Sequence, residues 1–118
     1  MLVSPKRLGA KARASIARVE SGQDEAFVPA VVVAEILLLK ELGRVAVGLP
    51  QLARAFRDAP GLQFLALDLP QLEEFVAVGG IRDPFDRLIV SAARHLRAAL
   101  LTRDSRLEGS GLVETIWS

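Results

Sequence analysis

The chain contains no cysteine. That absence excludes a disulfide framework, thiol catalysis and cysteine-ligated zinc, and it fits a reducing compartment. Histidine occurs once, as His95, set alone after apolar helix positions and read as a packing or surface residue rather than a ligand. No glycine-rich phosphate loop, nucleophile elbow or metalloprotease helix is present. Long hydrophobic runs are missing too. The longest, Val28 to Leu39, is interrupted by Glu35 and is too short to cross a bilayer. The basic N-terminus lacks the apolar core of a signal peptide, so the expected location is cytoplasmic, with no membrane partner. No repeat, linker or low-complexity segment divides the chain.

What is present is the composition of one folded domain. The 118 residues are 51% hydrophobic and 25% charged, which excludes disorder. A chain of this size buries roughly 65% of its unfolded surface and needs no metal or disulfide staple to fold. A single domain over residues 1–118 is expected. The net charge of +1 is uninformative, but its distribution is not. Lys6, Arg7, Lys11, Arg13 and Arg18 precede the first acid, Glu20, and Arg82, Arg87, Arg94, Arg97, Arg103 and Arg106 follow later. Such a spread either tracks a phosphate backbone or lies on solvated helix faces with paired charges.

Apolar periodicity and turn residues place the elements. Helices are expected over Gly9 to Glu20, Ala30 to Leu42 (stopped by Gly43), Gln51 to Asp58 (opened by Pro50), from Asp68 through Val78, and from Asp83-Pro84 to about Leu96. Asp68 with Gln71 makes a capping-box pattern. Short apolar runs at Ala26–Val28, Gln63–Leu67, Ala98–Thr102 and Leu112–Trp117 read as strands, with Ser21 to Asp24 and Asp104 to Leu107 as turns. Strands apolar on both faces and alternating with helices imply a three-layer α/β/α fold around a parallel sheet. Its ligand site is expected beyond the carboxyl ends of the strands.

Four acids stand out against that scaffold. Glu35 has Val31, Val32, Leu38 and Leu39 three and four positions away. A carboxylate on such a face is costly to bury uncompensated, so a metal ion, an ion pair or an edge position near solvent is required. Asp83 is an obvious N-cap, which is sufficient to explain it. Asp86, in the first turn, is explained by the helix dipole or by a ligand role facing a cleft. Asp104 follows a strand directly and is either a turn aspartate or a ligand at the sheet's functional edge. Converging on one point within about 10 Å, Glu35, Asp86 and Asp104 would suit Mg²⁺ or Mn²⁺, hard cations that take oxygen ligands.

The combined pattern resembles the PIN domain, particularly its VapC toxin branch. Val28-Pro29-Ala30-Val31-Val32-Val33-Ala34-Glu35-Ile36, with Gly43-Arg44 after it, looks like the family's second-acid helix. The segment from Arg82 to Ala93 is the most specific match, to the third-acid helix, and Leu100 to Asp104 resembles the fourth-acid strand and turn. Leu112 to Trp117 resembles the closing strand. The resemblance implies acidic ligands Glu35, Asp86 and Asp104, with Asp83 auxiliary. It also implies cleavage of RNA with Mg²⁺ or Mn²⁺, and a homodimer silenced by an antitoxin protein. Arg82, Arg87 and Arg103, around these acids, are candidate RNA contacts.

Two features depart from the family. Pro29 and a valine run stand where members carry serine or threonine before the helix acid. The strand with Asp that opens family members is missing, because Met1 to Pro5 already looks like the end of the following helix. A late start assignment, a truncation or a natural remnant would each account for this. The expected consequence is little or no ribonuclease activity in this chain. A sheet gap is also expected, closed by direct pairing of the flanking strands, by another chain or by rearranged N-terminal residues. The alternative function is a non-catalytic remnant serving as a dimerisation or antitoxin-binding module. A receiver-like domain is a third reading, disfavoured because the acids come late in the chain.

Overall fold

The structure is a computed structural model that describes residues 9–102 and 105–117. Helix α1 (Ala10–Glu20) leads through a turn into β1 (Ala26–Pro29), which passes directly into α2 (Ala30–Glu41). Then follow α3 (Leu49–Asp58), β2 (Leu62–Leu65), α4 (Leu69–Ala77) and α5 (Pro84–Leu96). The chain closes with β3 (Leu100–Leu101), the short α6 (Ser105–Glu108) and β4 (Thr115–Ile116).

The helix boundaries follow the local chemistry. Asp68 caps α4 by accepting from the Gln71 amide at 3.1 Å. The expected reciprocal half of that box takes another form: the buried Gln71 amide group donates to the Ala66 carbonyl at 2.7 Å and to Asp68 itself at 3.0 Å. Proline lies in the first turn of α3, α4 and α5, where its missing N–H costs nothing. Gly43, at φ 72°, ends α2 in the left-handed conformation that glycine adopts without strain.

The strands are parallel, as expected, but they form two pairs instead of one sheet. Ala26 lies opposite Leu62 and Pro29 opposite Leu65, while Leu100 lies opposite Thr115 and Leu101 opposite Ile116. Strands β1 and β3, which the sequence pattern allows to pair directly, do not do so among the described residues. Ladder parity shows where their second edges lie. The Ala26 amide donates to the Gly61 carbonyl, so Ala26 and Val28 face β2 and the Phe27 main chain points the other way. Likewise Leu100 and Thr102 donate to Glu114 and Ile116, which turns the Leu101 main chain away from β4. The strands also end early: β3 and β4 hold two residues each.

Helix α5 joins the halves. It packs against α4 and α2, and its fully buried Val90 forms a core with Val78 and Leu107, lined by Ile81, Leu100, Leu112 and Val113. Ser91, Ala92 and Ala93 are buried beside it, and these small side chains let neighbouring backbones approach closely. The first turn of α1 is tied to the end of β4 through the Ala12 amide, which donates to the Trp117 carbonyl at 3.0 Å. No helix among the described residues is long and apolar enough to cross a membrane.

Candidate functional site

Glu35 sits in mid-α2 between the buried Val33 and Ile36 and is itself half-buried. Its carboxyl pKa is raised above the ordinary value, chiefly by burial, with the Asp86 and Asp83 carboxylates adding to the shift. A carboxylate is affected in this way only by like charges near it. The helix packing agrees, since α2 lies against α5. The Asp86 and Asp83 carboxylates therefore lie near enough to Glu35 to act on its charge. Glu35 forms no ion pair among the described residues.

The start of α5 fixes the other two. Asp83 accepts from the Phe85 amide at 2.8 Å and the Asp86 amide at 3.2 Å, with Pro84 preset for the first turn. Capping thus occupies Asp83 without removing its charge from the neighbourhood of Glu35. Asp86 is half-buried in the first turn, where the positive end of the helix dipole favours a carboxylate. Asp104 and Arg103 lie outside the described residues. Among those described, no set of three histidine, cysteine or acidic side chains is grouped closely enough to hold a metal ion.

The candidate RNA contacts separate. Arg82 is exposed beside the acids. Arg87 turns toward α4, where its Nε donates to the Phe75 carbonyl at 2.9 Å and its guanidinium lies 4.1 Å from the centre of the Phe75 ring. Arg94 behaves similarly, bonding Glu74 at 2.9 Å and the Leu112 carbonyl at 3.0 Å. His95 is exposed, consistent with a surface residue. Sequence reasoning did not anticipate the destinations of Arg87 and Arg94. Phe75 and Glu74 lie on the preceding helix, and no local spacing marks them as partners.

The raised Glu35 pKa makes a testable statement about stability. The folded chain holds this proton more tightly than the unfolded chain does. The resulting stabilisation is complete below the ordinary value of 4.5 and is lost as pH rises through the higher folded value. Glu35→Gln removes the ionised form, so in metal-free buffer the variant should gain melting temperature over wild type at pH 7 and lose that advantage at pH 4. A difference that does not change with pH would contradict the coupling.

The described acids do not by themselves form a metal-ligand set, but Asp86 and Asp83 place like charges near Glu35. Mutually repelling carboxylates around a partly dehydrated Glu35 are relieved by a hard cation, which takes oxygen ligands and tolerates retained water. Comparison with known proteins gives the same direction. Residues 1–109 match the PIN domain family. Among solved structures, the chain is similar to one from VapBC2 of Rickettsia felis, crystallised bound to a DNA fragment from their promoter. The TM-score is 0.64 at 14% identity, covering 91% of this chain and 86% of that one. Comparison with curated proteins gives no match. With parallel strands alternating with helices, acids at the head of α5 and on α2, and a family match over most of its length, the chain belongs to the PIN domain family.

Proposed function

We propose that the chain is a metal-dependent endoribonuclease of the toxin–antitoxin kind, acting in the cytoplasm. The observation that carries this reading is the PIN family match over residues 1–109, and the half-buried Glu35 on α2, packed against the helix that bears Asp86, supports it. Glu35, Asp86 and Asp104 are the proposed ligands of Mg²⁺ or Mn²⁺, with Asp83 beside them. When bound, such a cation activates water and neutralises charge developing on a phosphodiester. The chain's own contributions are positional. The α2 backbone holds Glu35 on a helix packed against α5, and the Asp83 cap fixes the turn bearing Asp86. Arg82 and Arg103 supply positive charge for the phosphates of the RNA strand.

The family match and the likeness to a VapBC2 chain support a partnership with an antitoxin protein. Leu38 on α2 is 49% exposed and Leu42 just beyond it 68%, while Leu69 and Val76 on α4 are 69% and 79% exposed. Apolar surface of this kind suits association with a second copy of the chain and with the antitoxin. A homodimer is expected by light scattering at micromolar concentration, and a monomer would count against it.

The same exposed residues favour a second reading, a non-catalytic module that dimerises or binds an antitoxin. Cleavage of a mixed RNA substrate separates the two. The nuclease reading expects cleavage with Mn²⁺ or Mg²⁺ that stops on adding chelator. A chain that dimerises but leaves RNA intact in both metals would support the module.

A further inference from the structure

Arg87 follows Asp86 directly in the chain, yet its guanidinium is engaged on α4. Two contacts hold it: the 2.9 Å hydrogen bond from Nε to the Phe75 carbonyl and the stack over the Phe75 ring at 4.1 Å. Both partners belong to the last turns of α4. The main chain of Arg87 is engaged as well. Its amide donates to the Asp83 carbonyl at 3.0 Å, and its carbonyl accepts from the buried Ser91 hydroxyl at 2.6 Å. Two turns along the same face of α5, Arg94 repeats the device on Glu74 and Leu112. One arginine fixes the head of the helix and the other fixes its tail.

We infer that Arg87 is a positioning residue, which sets the first turn of α5, and with it the Asp86 carboxylate, by clamping that turn to the end of α4. This rests on the proposed metal-dependent reading for its consequence, though the clamp itself does not. The Asp83 cap fixes the amides of this turn, so the movement left to restrain is that of the whole turn relative to α4. A planar guanidinium stacked on a ring and bonded to a carbonyl in the same direction removes that freedom. Asp86, the adjoining residue, inherits the orientation. On this view Arg87 acts through Asp86 and makes no contact with RNA phosphate.

The test compares Arg87→Met, which keeps the length of the stem, with Arg87→Lys, which keeps a cation over the ring and one donor for the Phe75 carbonyl. Three quantities are measured on the full chain: Mn²⁺ affinity by titration calorimetry, RNA affinity in chelator, and hydrogen exchange at the Phe85 and Asp86 amides. Arg87→Met should weaken Mn²⁺ binding by about 10-fold, the scale on which orienting groups around a metal act. RNA affinity in chelator should stay within about twofold of wild type, because no phosphate contact has been removed. Exchange at Phe85 and Asp86 should quicken while that at Ala93 does not, and Arg87→Lys should restore most of the Mn²⁺ affinity. Loss of RNA affinity with unchanged Mn²⁺ affinity would make Arg87 a phosphate contact and overturn the proposal. So would a uniform rise in exchange along α5, which would mark a residue needed for folding alone. Should wild type bind no Mn²⁺, the nuclease reading fails, and the exchange pattern alone decides whether the clamp exists.

Discussion

Asp86→Asn is expected to lower whatever metal-dependent RNA cleavage the wild-type chain retains by roughly 100-fold or more, the order of loss when one preorganised electrostatic group is removed from a reaction centre. Asparagine fills the same space, so what changes is charge. The first turn of α5 stays in place because its amides are held by Asp83, and the loss of a favourable helix-end charge costs only about 0.3–1 kcal/mol. The variant should therefore keep its helical spectrum and most of its melting temperature while losing cleavage. In the same experiment Glu35 is relieved of one of the carboxylates that raise its pKa, so the pH dependence of stability should weaken toward that of an isolated half-buried glutamate. If cleavage in Mn²⁺ is unchanged in Asp86→Asn, the acids on α2 and α5 are not the catalytic centre. A loss of cleavage matched by a loss of folded structure would show only that the turn needs its charge.

The largest effect on stability is expected at Gly61, where the start of β2 passes under the turn between α1 and β1. A methyl group placed there would lie 2.4 Å from the Asp24 carbonyl oxygen and 2.6 Å from that of Val19. These are backbone atoms, so neither can rotate aside. The Gly61 carbonyl also accepts from the Ala26 amide at 2.7 Å, the bond that begins the β1–β2 ladder. Shifting the turn to admit the methyl group would strain that bond as well. Gly61→Ala should cost at least about 1–3 kcal/mol, the usual penalty for overpacking a close contact. For a domain near 100 residues this lowers the melting temperature by roughly 4–8 °C per kcal/mol. Calorimetry on wild type and variant gives the comparison. A variant that melts within a degree of wild type would mean that the two segments lie farther apart than described.

The sequence shows its helices because their ends are marked locally. Proline in the first turn of three helices, aspartate caps at Asp68 and Asp83 and glycine after α2 each act within a few residues, so a reading of neighbours finds them. Strand ends are not marked in this way. The apolar runs Ala98–Thr102 and Leu112–Trp117 contract to two paired residues each, since a strand extends only as far as a partner offers groups to bond. That length depends on residues far away in sequence, and so does the division of the strands into two pairs. The acids are legible for a similar local reason. Glu35 is out of place among aliphatic neighbours and Asp86 is surplus to capping, so each stands out from the residues on either side of it. Arg87 and Arg94 do not, because a long, flexible cationic side chain reaches partners on another helix that its own neighbours do not specify.

The division of the strands also determines how the domain comes apart. In a continuous sheet, main-chain hydrogen bonds run from one side to the other, and local loosening is resisted across the whole width. Here no ladder bond among the described residues joins the β1–β2 pair to the β3–β4 pair, so cooperativity between them depends on side chains packed along α5 and on links outside the ladders, such as the Ala12 amide bonded to the Trp117 carbonyl. Val90 meets one half through Leu100, and α2, which continues β1 without a break, meets α5 from the other. Side-chain packing falls off steeply with small displacements, and regions held by few buried apolar contacts open first. Loosening of the packing around Val90 would weaken the contact between the two halves while leaving each pair of strands bonded. The helix that carries Asp86 at its head is also the one whose loosening would end the molecule's behaviour as a single unit.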